Sequence, residues 1–560
     1  MKLLNDILNN VPEFGQLLAA MDSGRCPVAL SGLSAVHRAH FAAGVYARTG
    51  RPVVLVCADE GEGERLARDL ESLTGQRVPV LAPRSYIFHN AATVSRQWEH
   101  RRLALMRAMA AGEVPLLVAA VEGLLQRTLP PEELDRAWAE LRTGGSYDLN
   151  QLAETLTAAG YSRCDQVEGV GQFALRGGIL DVYSPGMEQP VRAEFFGDEL
   201  DAMGLFDPAT QRRTENVERA VLLPAAEALP HLAPGGTAGL AARLEKLAAG
   251  AEKAGRHELA QTLRQDREAL VQGRSFPATD RYLALIYPQL ATAADYLPPD
   301  ACVLFSESSR VGERAKTYQW QLEEDAKSLM ERGELDGSCA VLSRTFPELN
   351  ARLSDWPTAY LDSFTLSAYP VPPGCLLSVT AKQLPSFGAS LETAVSDLDH
   401  YQRSGLGTLV LVSSEQRALN LQMLLREQGL RAAVEFQPQT LPGPGETLVS
   451  VGGLSAGMEY PEARLAVLTE GQGAALKKPR PRKAATNREK LKSYADLSPG
   501  DLVVHEHHGV GRYMGMVKLP ADGVEKDYVK IAYAGSDVLY VPATQLDLVS
   551  KYIGGGGDAA

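Results

Sequence analysis

Apolar and polar positions in residues 26–128 follow two alternating periods. CPVALSGL, PVVLVCAD, VPVLAP and PLLVAAVEGLL are short apolar runs bounded by turn residues. Between them, VHRAHFAAGVYART and EGERLARDLESL place apolar residues three and four apart. The first kind reads as buried strand, the second as amphipathic helix. Their alternation predicts a parallel sheet covered by helices. From residue 145 the period changes. After the helical stretch LNQLAETLTAAG, the runs GQFALRGGILDVYSP and PVRAEFFGDELDAMGLFD alternate between turns, which predicts a small inserted antiparallel sheet. Residues 226–375 are mostly helical by pattern, with ACVLFSE (301–307) as a strand that can return to the first sheet. Residues 376–470 form a further αβ unit, clearest in GTLVLVSSEQRALNLQMLLREQGLRAAVEF. Residues 496–553 alternate between Gly turns and predict a closed barrel of about five strands.

The length of 560 residues fits several domains. The domains read as 1–144 and 216–375 (one αβ domain in two parts, the second largely helical), 145–215 (inserted α+β), 376–470 (small αβ), 471–495 (basic linker) and 496–553 (barrel). Residues 554–560 are an unstructured end. With 45% hydrophobic and 22% charged residues the chain is ordinary globular protein, not coiled coil, collagen or wholly disordered. A net charge of −13 argues against non-specific DNA coating as its main task. The exception is 477–492, with eight basic residues and one acid. That run reads as a solvated connection that touches DNA weakly at most. Cys26, Cys57, Cys164, Cys302, Cys339 and Cys375 form no CxxC pair and read as buried reduced thiols, which suits a cytoplasmic protein. No apolar run approaches the ~18–20 residues of a membrane span. The start, MKLLNDILNNVPEF, places Asp6 and Asn9 where a signal peptide needs an apolar core.

The first strand–turn–helix is where a phosphate-binding loop belongs. Such a loop needs G-x-x-x-x-G-K-[ST]: glycines for the backbone cradle, Lys for the phosphates, a hydroxyl for magnesium. Here Gly32 remains, but the Lys and Ser/Thr positions fall on Ala35 and Val36. The strand that should end in an acidic pair offers Ser306-Glu307, so the magnesium carboxylate is missing. The nucleotide site (Gly32, Ala35, Val36, Ser306, Glu307) therefore reads as degenerate and non-functional. GLSAG (453–457) matches a nucleophile elbow only in spacing and reads as chance. HEHH (505–508) puts His505 and His507 on one face of a strand and His508 on the other, with no fourth ligand. No catalytic residue and no metal site is assigned.

The runs LSPGDLVVHEHHGVGRYMGMVKL and DYVKIAYAGSDVLYVPATQLDLVSKYIG resemble the RNA-polymerase-interacting domain of bacterial transcription-repair coupling factors, a Tudor/CarD-like fold. GYSRCDQVEGVGQFALRGGILDVYSPGMEQPVRAEFFGDELDAMGLFDPATQR resembles the domain by which UvrB and these coupling factors bind UvrA. A working UvrB keeps its nucleotide site and a long aromatic hairpin. Here only SYIFHNAATV (85–94) stands in the hairpin's place. The resemblance extends over residues 1–553.

It implies a non-catalytic adaptor that docks on the β subunit of stalled RNA polymerase and recruits UvrA for nucleotide excision repair. The alternative is a stand-alone CarD-type polymerase regulator without UvrA recruitment. It implies Arg163, Phe173 and Arg176 for UvrA, and Val517, Lys518 and Leu519 for the polymerase, while His505, Gly509, Gly511, Tyr540 and Pro542 match the motif as structural positions. The family's ATP- and Mg-dependent translocase motor follows the polymerase-binding domain. This chain ends at Ala560, so the expectation is a monomeric adaptor without cofactor, and with DNA contacted mainly by the motor.

Overall fold

The computed structural model describes residues 2–89, 96–274, 276–388, 391–472, 488–490, 500–505, 509–521, 524–532, 538–542 and 549–552. The chain divides into two units, Met1–Ala475 and Leu476–Ala560.

The first unit is built on a seven-stranded parallel sheet. Its order is Cys375–Ser378, Val28–Ser31, Thr358–Leu361, Cys302–Ser306, Val53–Cys57, Leu116–Ala120, Val80–Leu81. Five of these strands are apolar runs buried along their whole length, as a sheet covered on both faces requires. Cys302–Ser306 lies between Val53–Cys57 and Thr358–Leu361, so ACVLFSE does complete the first sheet. The edge strand Cys375–Ser378 crosses the boundary read at 375. That boundary needs correcting, because "CLLS" is too short to signal a strand without its neighbour.

A second sheet carries Lys382–Leu384, Gly457–Tyr460, Leu465–Thr469, Gly407–Val412, Thr447–Val451 and Ala433–Val434 in that order. Its inner residues Leu409, Leu411, Met458, Tyr460 and Val467 share one core with Val36, Phe41, Leu55 and Leu304 of the first sheet and its helices. Polar contacts pin the same seam. His40 bonds Tyr460 Oη (2.8 Å) and the Leu4 carbonyl (2.9 Å). Asp69 accepts from the Ser455 amide (2.7 Å) and hydroxyl (2.5 Å) and from Gln472 (2.6 Å). Ser455 of GLSAG is thus a seam contact, not a nucleophile.

The inserted sheet runs Arg213–Asn216, Glu199–Phe206, Val191–Phe196, Ile179–Tyr183, Gln172–Arg176, Ser162–Arg163. All its pairs are antiparallel except the last. The helix Leu149–Ala158, N-capped by Asp148, packs Leu152 and Leu156 against Phe173, Leu180, Val182 and Val191.

The second unit is a six-stranded row: Arg488–Lys490, Val549–Tyr552, Leu502–His505, Gly509–Ala521, Val524–Ala532, Val538–Pro542. Among the described residues no pairing joins the two ends of the row, so closure into a barrel is not seen. The basic linker also needs correcting: Arg488–Lys490 pairs with Val549–Tyr552 as a strand. Glu506, His507, His508 and residues 554–560 lie outside the described residues.

Cys57, Cys302 and Cys339 are buried free thiols, whereas Cys26, Cys164 and Cys375 are partly exposed. No helix among the described residues is long and apolar enough to cross a membrane.

Candidate functional site

The residues expected to form a degenerate nucleotide site lie at the carboxyl edge of the parallel sheet, and the protein's own side chains fill the space there. Gly32 has φ +89°, and a Cβ there would lie 2.1 Å from the Val379 carbonyl oxygen. Chain packing alone therefore requires this glycine. The amides that would wrap a phosphate are already bonded: Gly32 N–H to the Ser363 carbonyl (3.2 Å) and Leu33 N–H to the Asp362 carbonyl (3.1 Å). Ala35 opens the helix Ala35–Thr49, and Val36 is fully buried in the seam core.

Arg38, one turn further, fills the space. Its guanidinium donates to the Leu33 carbonyl (2.9 Å), to Ser363 Oγ (3.3 Å) and to the Glu307 carboxylate, and lies 3.9 Å from Glu62. Ser306 Oγ donates to Glu62 Oε1 (2.8 Å). Glu307 holds φ +56°, a left-handed conformation that costs a non-glycine residue about 1–3 kcal/mol. Its carboxylate returns accepted bonds from Arg38 and from the Ser363 amide (3.1 Å) and hydroxyl. Burial raises Asp362 to about 6, and it accepts from Ser308. Sequence spacing shows the missing Lys, but not that Arg38 replaces it with an internal salt bridge.

The inserted sheet has the opposite character. Its inner face is core; its outer face combines a small buried cluster of Val167, Ala174 and Phe206 with exposed positions toward the end of the strand Val191–Phe196. Period-2 alternation places Arg176, Ile179, Asp181, Arg192, Glu194 and Phe196 on the outer face, with a bulge between Glu194 and Phe195. Asp181 is fully buried and holds two arginines, Arg192 through two bonds (2.7 and 2.8 Å) and Arg176 through one (2.7 Å). The Arg192 guanidinium also lies over the Phe206 ring, 4.7 Å from its centroid. Phe196 is 86% exposed and Ile179 38%. An exposed aromatic on the same sheet face as arginines already held in place has the make-up of an interface anchor.

The three residues expected to contact UvrA do not share this face. Arg176 is on it. Phe173 is corrected: it is fully buried against the helix Leu149–Ala158 and has no surface to offer. Arg163 is exposed but pairs in register with Phe173, at the opposite side of the sheet, where it lines a separate groove. Arg192 and Phe196 were missed. The signal was present in EFFGDE: in a strand, two adjacent phenylalanines cannot both face the core.

In the second unit, Val517, Lys518 and Leu519 lie in the strand Gly509–Ala521, opposite Tyr528, Asp527 and Lys526. Of that strand, only residues 509–512 pair with the neighbouring strand Leu502–His505. Beyond that point, among the described residues, the hairpin is paired on one side only. Val517 is half-buried, while Met514 (50%) and Met516 (38%) are exposed. Among the described residues no cluster of His, Cys, Asp or Glu is placed to hold a metal.

Two family models match. Residues 139–227 match the UvrB interaction domain. Residues 497–553 match the CarD-like/TRCF RID domain. Transcription-repair-coupling factors are similar along nearly the whole chain. That of Bacillus subtilis is 31% identical over 97% of this chain and 47% of its own length. That of Staphylococcus haemolyticus is 29% identical over 98% of this chain and 47% of its own. The chain spans about half the length of the curated relatives it matches. Over that half the chain is similar to transcription-repair-coupling factors, and it matches the UvrB interaction and CarD-like domain models in one polypeptide.

Proposed function

We propose that this chain is the non-catalytic adaptor portion of a transcription-repair coupling factor. It docks on the β subunit of stalled RNA polymerase and recruits UvrA for nucleotide excision repair. The observation that carries the reading is the outer face of the inserted sheet, which presents exposed Phe196 together with Arg176 and Arg192, both fixed by buried Asp181. We assign UvrA to this face and keep Arg163 out of it. The polymerase takes the edge of the hairpin at Val517, Lys518 and Leu519, where backbone groups that are unpaired among the described residues can add a partner strand.

ATP and magnesium belong, in this reading, to a motor elsewhere in such proteins. Arg38, which fills the expected nucleotide site and is already bonded to Glu307, Ser363 and Leu33, supports this reading. The adaptor works as a monomer in the cytoplasm, and DNA contact through 477–492 is weak.

The test is a pull-down of the chain with purified UvrA and, separately, with the polymerase β subunit. Arg176→Ala, Phe196→Ala and Leu519→Arg are run alongside. The adaptor reading expects both partners to bind and each variant to lose only its own. Polymerase binding without UvrA binding would transfer the chain to the CarD-type regulator reading.

A further inference from the structure

A groove of about 830 Å³ opens where the inserted domain meets the rest of the first unit. The helix Leu149–Ala158, the strand Ser162–Arg163, the linker at 226–231 and Gly273, Arg274, Phe276 and Thr279 after the helix His257–Val271 form its walls. Its size falls in the range of built ligand sites. Hydrogen bonds tie the walls together: Ala225 N–H to the Ala159 carbonyl (2.8 Å), His100 Nε2 to the Ala225 carbonyl (2.9 Å) and Glu227 N–H to Glu99 (2.7 Å). The groove is therefore preformed.

Its charge opposes that of the whole chain. Arg96, Arg163 and Arg274 line it against one carboxylate, Glu154. The two lining histidines are neutral at pH 7, because burial lowers His100 to about 4 and lowers His231 as well. Arg96 is paired with Glu99 (2.9 Å). Arg163 and Arg274 are exposed and, among the described residues, have no ion-pair partner. In a protein of net charge −13, two unpaired arginines over a floor of small apolar residues such as Ala153 and Ala226 is a specific complementarity.

The lining also discriminates among anions. It has no Tyr or Trp, and its one Phe, Phe276, is 9% exposed, so it lacks the exposed aromatic platform typical of single-strand nucleic-acid sites. The first amides of the helix Leu149–Ala158 are occupied by the Asp148 carboxylate (2.8 and 3.0 Å), so no backbone cradle for a phosphate is free. We infer that this groove docks an acidic peptide segment of a partner protein, its carboxylates on Arg163 and Arg274 and its small apolar side chains on the floor. Arg176, Arg192 and Phe196 do not line the groove, so it is a surface distinct from the proposed UvrA face.

The test is fluorescence anisotropy of the full chain with a labelled short peptide alternating Glu and Leu. A Lys/Leu peptide, ADP and a single-stranded oligonucleotide are the comparison probes. The expected result is binding of the acidic peptide alone, weakened about tenfold or more by the pair Arg163→Glu and Arg274→Glu. Thr157→Trp, at an exposed lining position, should block it by bulk without changing charge. Phe196→Ala should leave it unchanged. The inference is overturned if the acidic peptide does not bind, if both groove variants bind it as the parent does, or if the Lys/Leu peptide, ADP or the oligonucleotide binds the groove in its place.

Discussion

The parallel sheet and the inserted sheet use arginine and carboxylate in opposite ways. At the parallel sheet's carboxyl edge, Arg38 is turned inward and spent on Glu307, Ser363 and Leu33. On the inserted sheet a single buried carboxylate, Asp181, holds Arg176 half-exposed and pointing outward. The first arrangement closes a site that the topology would otherwise leave open. The second builds a surface. Burial of the charged group and exposure of its partner distinguish the two, and neither can be read from the presence of an Arg–acid pair alone.

Two substitutions with the largest expected effects probe that contrast. Arg38→Ala strands Glu307 and Glu62 at the sheet edge, and breaking a buried pair costs about 3–5 kcal/mol. Urea denaturation should show that loss, and the variant should still not bind ATP, because Ala35 and Val36 supply neither phosphate nor magnesium contacts. A stability within about 0.5 kcal/mol of the parent would mean that the cluster is not what closes the edge. Phe173→Ala empties a core position and costs about 3–5 kcal/mol. Thermal unfolding reads it, and UvrA binding of the folded fraction should be kept. Loss of UvrA binding at unchanged stability would return Phe173 to the interface.

The legible parts of this fold are those set by local period. The strands of the parallel sheet, the change to period 2 near 160 and the hairpin at 509–532 all stand in the apolar pattern. What escaped is long-range. Arg38 and Glu307 are 269 residues apart, so no local pattern announces their pairing. The strand Arg488–Lys490 hides in a basic run because its order comes from Val549–Tyr552, not from its own side chains. The site was half legible: Arg176 by resemblance, Phe196 by alternation. Phe173 was mistaken because resemblance locates a stretch of chain, whereas strand parity decides which of its residues face out.

Phe196→Ala should be the next largest effect, and it falls on binding. Removing an exposed aromatic anchor costs about 2 kcal/mol or more of affinity, roughly thirtyfold. Stability should stay within about 0.5 kcal/mol, since Phe196 packs against little of its own protein. Isothermal titration with UvrA separates the two quantities. An unfolding midpoint that drops with the affinity would make the residue structural and the open face incidental.

The smallest effect concerns the seam between the two sheets of the first unit. Burial raises Asp69 from an ordinary carboxyl value to about 6 and lowers His37 to about 3 and His40 to about 4. Below pH 6.5 the unfolded chain protonates its histidines while the folded chain does not, so these two groups withdraw stability as pH falls. Asp69 works the other way. Between its folded value near 6 and its unfolded value near 4, the folded protein binds the extra proton, so acidification adds stability. The two kinds of group offset each other between pH 6 and 4. Asp69→Asn removes the compensating member, and its stability should fall more steeply on acidification than the parent's, by at most roughly 1.4 kcal/mol per pH unit. Urea midpoints across that window read the slope. Parallel curves for parent and variant would mean that Asp69 is ionised in the seam, held by the Ser455 and Gln472 donors strongly enough to cancel its burial.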